Sequence, residues 1–174
     1  MNYFAHFELP VAFAVDAGNL KRQFLRISKA VHPDFHSLSS PEQREETLRL
    51  STYNNEAYRV LSDEDQRLRY ILELYGQQEA EGQQKLSEDF LMDMLDLNEQ
   101  VMELQLEATD QTLQQLLETI RDTRQQLADK AQPYLAKSPE DCTEADWQAI
   151  KQYYYQRRYL WRILDNLDKK DPSL

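Results

Sequence analysis

Residues 20–34 read LKRQFLRISKAVHPD, an amphipathic helical pattern that stops at a proline. Its apolar residues recur at intervals of four, three and four: Leu20, Phe24, Ile27 and Val31. This spacing places them on one face of an α-helix. Pro33 ends the helix, because its ring disfavours the α conformation of the preceding residue and supplies no N–H. The sequence therefore predicts a helix followed immediately by a polar loop.

The opposite side of this helix is basic. It carries four cations: Lys21, Arg22, Arg26 and Lys29. No acidic residue occurs between Asp16 and Asp34, although the whole chain has a formal net charge of −11. A basic helical face beside a proline-braced loop, in an otherwise acidic protein, predicts a docking surface for a protein partner with an acidic face.

The pattern resembles helix II of the J-domain co-chaperones, in which aromatic and aliphatic positions precede His-Pro-Asp. Residues 55–63, NEAYRVLSD, resemble helix III of the same domain. The resemblance implies a helical hairpin that binds the ATPase of a DnaK-type chaperone. It assigns chaperone binding to His32, Pro33 and Asp34, with Asp34 offering a carboxylate to a basic group. We expect the four cations of the preceding helix to steer that association.

Composition restricts the class of protein. A hydrophobic content of 41% with only three glycines in 174 residues favours a folded, helix-rich chain. The excess of acidic residues argues against nucleic-acid or anionic-membrane binding. The single cysteine, Cys142, excludes an intrachain disulfide and a Cys-rich zinc site. No apolar run has the length of a membrane span and no targeting signal is evident, so we expect a cytoplasmic bacterial protein or the mature form of an organelle-imported one.

Helical patterns fill nearly the whole chain, and nothing reads as a strand. The sequence predicts an all-α protein with a J-domain over residues 1–76, a linker over 77–86 and a three-helix bundle over 87–174. In the first part, helices are predicted within residues 2–9, up to Val31, from Ser40 or Pro41 to Leu61, and from there to Tyr75. The bundle helices are predicted near residues 87–108, 111–136 and 143–168.

The two ends of the predicted J-domain indicate which type of J-domain protein the chain resembles. Residues 3–10 (YFAHFELP) and 70–76 (YILELYG) resemble the HscB type, the dedicated iron–sulfur cluster co-chaperone, and residues 90–99 (FLMDMLDLNE) resemble the start of that family's bundle. The resemblance implies an adaptor that is not an enzyme. Its J-domain stimulates the ATPase of a specialised DnaK-type chaperone, and its bundle delivers the iron–sulfur cluster scaffold protein. Asn54 departs from the family pattern, which usually has an aliphatic core residue there.

The first bundle helix carries two apolar stripes. The stripe predicted as core lies within about 40° of one line and consists of Phe90, Met94, Leu97, Val101, Leu104 and Ala108. A second stripe lies roughly 100–160° away: Leu91, Leu95, Met102 and Leu106. Residues 86–120 contain nine acidic side chains and no lysine or arginine, so surplus apolar residues among carboxylates indicate a protein-binding patch. The alternative is that the second stripe covers the other two bundle helices or packs on the J-domain.

The family resemblance assigns scaffold binding to part of this helix: Leu91, Met92, Leu95, Asp96 and Glu99. Glu103 continues the acidic edge one turn later, and Tyr159 on the last helix matches an aromatic of the family, with an ordinary surface tyrosine as the alternative. Helical spacing predicts the core faces of the other two helices: Leu113, Leu117, Ile120, Leu127, Ala131 and Tyr134, then Ile150, Tyr154, Trp161 and Leu164. His6 is predicted to lie on the surface.

Two other functions are open at this point. One is a J-protein with a different client, which a scaffold pull-down distinguishes. The other is a metal-dependent hydrolase using His32, Asp34 and His36, because imidazole and carboxylate groups ligate metals. That loop offers too few further ligands, and the chain has neither a recognisable nucleophile turn nor a phosphate-binding glycine loop. We therefore predict no metal site and no cofactor, and place the ATPase in the partner.

Overall fold

A computed structural model describes residues 2–32, 40–79, 85–106 and 109–168. These residues form α-helices and one short 3₁₀ turn at Pro139–Asp141, and they contain no strand. The prediction of an all-α protein is therefore confirmed. The helices are α1 Tyr3–His6, α2 Ala17–Ala30, α3 Pro41–Ser62, α4 Glu64–Leu74, α5 Glu88–Leu106, α6 Asp110–Leu135 and α7 Glu144–Asp168.

Polar caps fix the ends of the long helix α3. The hydroxyl of Ser40 accepts the backbone N–H of Gln43 at 3.3 Å, and the side-chain oxygen of Gln43 accepts the backbone N–H of Ser40 at 3.1 Å. This capping box satisfies two helix-terminal donors, and Pro41 suits the first helical position. Asp63 has an extended backbone and caps α4 by accepting the N–H of Gln66 at 2.8 Å. The chain therefore breaks between α3 and α4, as predicted.

The chain divides into two compact units, one made of Met1–Gly76 with Ala136–Asp141 and the other of Gln77–Leu135 with Cys142–Leu174. In the first unit, α1, α2 and α4 each pack against α3. Its most deeply buried side chains are Phe4, Phe7, Leu20, Leu61, Ile71 and Leu72. The hairpin of α2 and α3 thus has its apolar faces turned inward, and the basic side of α2 remains on the surface.

A buried polar network crosses this core, and it corrects the prediction that His6 lies on the surface. His6 is buried, with 9% of its surface exposed, and Asn54 is 1% exposed. The Nε2 atom of His6 lies 2.9 Å from Oδ1 of Asn54. The Nδ2 atom of Asn54 donates to the hydroxyl of Ser28 at 2.9 Å and to the carbonyl of Phe24 at 3.3 Å. A carbonyl can only accept, so Oδ1 faces the histidine and accepts its Nε2–H. The asparagine that departs from the family pattern is therefore satisfied by partners on α1 and α2.

An aromatic cluster packs beside this network. The backbone N–H of Tyr3 donates to the phenol oxygen of Tyr70 at 3.0 Å, and the two rings stack with centroids 4.5 Å apart. Tyr53 meets the Tyr3 ring edge-on at 5.3 Å. Burial raises the pKa of Tyr70 and of Tyr53, since it disfavours the phenolate. The chain's N-terminus is thereby held on α3 and α4.

In the second unit, α5, α6 and α7 pack pairwise into a three-helix bundle. The predicted core stripe of α5 is buried at Phe90, Met94, Leu97, Val101 and Leu104, whereas Ala108 lies outside the described residues. The register predicted for α6 is wrong at Leu117, which is exposed. Leu116 is buried in its place, because it shares a line with the buried Ile120, Leu127 and Ala131. Adjacent residues on a helix point about 100° apart, and on α6 only Leu116 lies on the buried line.

The prediction for α7 is wrong at Trp161, which is 61% exposed. Ile150 and Tyr154 are buried as predicted, but further along the helix the buried residues are Leu160 and Ile163. The inward face therefore changes direction along α7. A single periodic stripe drawn from Ile150 through Tyr154 continues to Trp161 and misses this change.

The two described ends of the predicted linker lie against α7. The ammonium of Lys151, a buried residue, lies 3.3 Å from a carboxylate oxygen of Glu79. The backbone N–H of Glu79 donates to the phenol oxygen of Tyr155 at 3.1 Å. The side-chain amide of Gln152 donates to the carbonyl of Lys85. These contacts hold the described ends of the linker against α7 near Lys151, so they cover the helix there.

Candidate protein-binding surfaces

The basic face of α2 is exposed at all four of its predicted positions: Lys21, Arg22, Arg26 and Lys29. The guanidinium of Arg26 lies 3.0 Å from a carboxylate oxygen of Glu8, and both side chains are more than half exposed. An exposed ion pair of this kind contributes about 0–1 kcal/mol. Arg26 can therefore exchange Glu8 for a carboxylate of a partner at little cost.

The basic face also contains a residue that the sequence reasoning passed over. Leu25 is 54% exposed and stands between Lys21 and Lys29, which are one helical turn away on either side. Its signal in the sequence is an apolar residue flanked by cations at i−4 and i+4. A binding face with an apolar centre and a charged rim has the usual composition of a protein interface.

His32 follows the end of α2 and is exposed. The other residues of the predicted loop, Pro33, Asp34 and His36, lie outside the described residues. The contact predicted for the Asp34 carboxylate and the alternative metal site at His32, Asp34 and His36 therefore both stay predictions. Within residues 2–32, 40–79, 85–106 and 109–168, no group of three or more His, Cys, Asp or Glu side chains could hold a metal ion.

The second apolar stripe of α5 lies on the surface. Leu91 is 42% exposed, Leu95 53%, Met92 62% and Met102 65%. The alternative in which this stripe covers the other two bundle helices is therefore wrong for Leu91, Leu95 and Met102, and the side chain of Leu106 is outside the described residues. We call Leu91, Met92 and Leu95, with their acidic rim, the α5 patch. Within the bundle, no described element covers this apolar surface.

The acidic rim of the α5 patch consists of Asp96, Glu99 and Glu103, all of them exposed. None of these carboxylates makes an ion pair with a described residue, and residues 86–120 contain no lysine or arginine. Unpaired carboxylates around exposed apolar side chains favour a partner that presents apolar groups among cations.

Tyr159 is half-buried and joins α7 to the start of α5. Its ring meets the ring of Phe90 edge-on with centroids 6.0 Å apart, and the guanidinium of Arg162 lies 5.1 Å from its centroid. Phe90 directly precedes Leu91 and Met92, so the structure brings Tyr159 next to the turn that carries them. Tyr159 is therefore more than an isolated surface tyrosine.

No helix in the described part of the chain is both long and apolar enough to cross a membrane.

Comparison with known proteins gives three kinds of similarity. Residues 86–168 match a family model described as the HSCB C-terminal oligomerisation domain. The whole chain is 30% identical to a co-chaperone protein HscB homolog of Acinetobacter baumannii (strain SDF) and covers 92% of that protein. Among solved structures, chaperone HscB from Vibrio cholerae has a TM-score of 0.82 at 25% identity, with coverage of 97% of this chain and 96% of that one. Human co-chaperone protein HscB has a TM-score of 0.83 at 22% identity, covering 99% and 83%, a likeness of fold alone.

Proposed function

The chain belongs to the HscB family of co-chaperones, and from that premise we propose that it stimulates the ATPase of a specialised DnaK-type chaperone and delivers the iron–sulfur cluster scaffold protein to it. In this proposal the first unit binds the chaperone and the second unit binds the scaffold. The chain performs no catalysis itself, because the ATPase belongs to the partner. We further propose the bacterial cytoplasm as its location, in keeping with its bacterial relatives.

The observation that carries the proposal is the opposite character of two exposed surfaces on separate units. The α2 face is basic and ends at His32, whereas the α5 patch is apolar with an acidic rim. Because these two surfaces lie on separate units and differ in charge and apolar content, each suits a partner of different composition. They support an adaptor that binds two different proteins at the same time.

At the chaperone end, we propose that the cations of α2 steer association and that the loop after His32 makes the specific contact. Exposed charges raise the rate of encounter with an oppositely charged surface, and salt screens that effect. Asp34 offers its carboxylate to a basic group of the ATPase, while Pro33 restricts the loop. Leu25 adds apolar contact area within the basic face.

At the scaffold end, we propose that the α5 patch supplies the binding energy and that its rim sets the orientation. Leu91, Met92 and Leu95 are between 42% and 62% exposed. A partner can remove this apolar surface from water. Buried anchors of this kind often contribute about 2 kcal/mol or more each. Tyr159 extends the same surface onto α7.

The test is the steady-state ATPase rate of the cognate DnaK-type chaperone, measured alone, with this protein, and with this protein and the scaffold. We expect this protein to raise the rate and the scaffold to raise it further. No stimulation in either mixture contradicts the proposal. Stimulation that the scaffold leaves unchanged, together with no scaffold capture in a pull-down, favours a J-protein with a different client.

A further inference from the structure

The bundle has a second exposed surface, in the C-terminal half of α7. Arg158, Trp161 and Arg162 are spaced i, i+3 and i+4, which places them side by side on the helix. All three are exposed, and Trp161 retains 61% of its accessible surface. We call these three residues the α7 ridge. Tryptophan and arginine are the residues most enriched among the anchors of protein interfaces.

Both arginines of the α7 ridge are seated on tyrosine rings of their own helix. The guanidinium of Arg158 lies 5.7 Å from the ring centroid of Tyr154, and that of Arg162 lies 5.1 Å from the ring centroid of Tyr159. Neither makes an ion pair with a described residue, in a chain with 31 acidic and 20 basic side chains. A cation–π contact restrains a guanidinium without using its N–H donors. Two restrained cations therefore keep their capacity to bind carboxylates.

The α7 ridge begins beside Tyr159, which contacts the turn of α5 that carries Leu91 and Met92. Around the axis of α7, at about 100° per residue, Arg162 lies about 60° from Tyr159, Arg158 about 40° further and Trp161 about 60° beyond that. Tyr159 in turn contacts Phe90 in the first turn of α5. A partner that covers the start of α5 and Tyr159 therefore reaches Arg162 first and Trp161 last.

We propose that the α7 ridge is a second contact for the scaffold protein and that it binds an apolar side chain flanked by carboxylates. This inference rests on the proposed function, because it assigns the ridge to the same partner as the α5 patch. The acidic rim selects cations on that partner, and the basic ridge selects anions beside them. Opposite charges on adjoining surfaces admit one orientation of the partner and repel the reverse one.

The experiment is calorimetric titration of the full chain with the cluster-free scaffold protein. Trp161→Ala, and the double variant Arg158→Glu with Arg162→Glu, should each weaken binding by roughly thirtyfold, the loss that corresponds to a buried interface anchor. Arg121→Glu with Arg124→Glu reverses two exposed arginines on α6, is the control matched to the double variant in charge, and should bind as the wild type does. Because all the substituted residues are exposed, the melting temperatures should stay near that of the wild type.

A fluorescence measurement keeps the inference testable independently of affinity. The chain has two tryptophans, of which Trp147 is 5% exposed, so acrylamide quenches mainly Trp161. Scaffold binding should protect Trp161 from acrylamide, with Trp161→Phe as the background.

The two proposals fail in different ways. If alanines at the α5 patch abolish binding while the ridge variants bind normally and Trp161 stays quenchable, the ridge inference is wrong and the proposed function stands. If the wild-type chain does not bind the scaffold at all, both are wrong.

Discussion

The buried contact between His6 and Asn54 makes a quantitative prediction about stability. Asn54→Leu leaves the Nε2–H of His6 buried without an acceptor, and His6→Phe leaves Oδ1 of Asn54 without a donor. An unsatisfied buried polar group costs about 1–3 kcal/mol, whereas replacing both partners by apolar groups can be nearly neutral. We therefore expect each single variant to lose about 2 kcal/mol of unfolding free energy and the double variant to lose less than either.

The assay is urea unfolding followed by far-ultraviolet circular dichroism, with hydrogen exchange of the α3 amides to assign the loss to the first unit. For a unit of this size, about 2 kcal/mol corresponds to a fall in melting temperature of roughly 8–16 °C. Asn55→Leu is the matched control, because Asn55 is the exposed neighbour of Asn54 and its substitution should change stability by less than about 0.5 kcal/mol. Losses that simply add in the double variant would refute the reasoning, since coupled residues must show an interaction energy.

Further predictions concern the partners and the pH dependence. Asp34→Asn should abolish stimulation of the chaperone ATPase but leave scaffold binding intact; normal stimulation contradicts the role given to its carboxylate. Arg22→Glu with Arg26→Glu should weaken chaperone association and flatten its salt dependence, and an unchanged slope across a salt series means that these cations are only solvated surface. Alanines at the three apolar residues of the α5 patch should abolish scaffold binding and leave the melting temperature near that of the wild type. The core variant Met94→Ala should instead lose roughly 2–5 kcal/mol of stability. A low melting temperature of the triple variant would mean that the three residues belong to the core. Because burial raises the pKa of Tyr70, its contribution to stability is present below the unfolded phenol's pKa of about 10 and is lost as pH rises through the folded value. Tyr70→Phe should therefore reduce the fall in unfolding free energy above about pH 10. If the variant and the wild type lose unfolding free energy equally above that pH, the role given to Tyr70 is wrong.

Periodicity predicts a helical core well where one apolar stripe continues along the whole helix without interruption. On α5, the stripe from Phe90 to Leu104 continues at spacings of three and four and is buried, whereas Leu91, Leu95 and Met102 of the second stripe are exposed. On α6 and α7, Leu116 stands beside Leu117, and Leu160 stands beside Trp161. There the sequence offers two faces of equal apolarity, and only the packing of the neighbouring helices decides between them.

The polar part of the core could not be predicted from local pattern. His6 and Asn54 are separated by 48 positions, and each is an unremarkable polar residue in its own segment. Their burial becomes favourable only when α1 and α3 meet and each group satisfies the other. The exposure of the α5 patch could be predicted from helical angles. Its partner could be predicted only from the family resemblance.

The anchoring of Glu79 and Lys85 on α7 bears on where the protein can be divided for study of its separate parts. A bundle that starts at the first helical residue, Glu88, lacks the carboxylate that faces Lys151 and the hydrogen bonds that join Glu79 and Lys85 to α7. A bundle that starts at Gln77 keeps the carboxylate and the two hydrogen bonds to Tyr155 and Gln152. Glu79 and Lys85 of the predicted linker therefore belong with the bundle when the protein is divided.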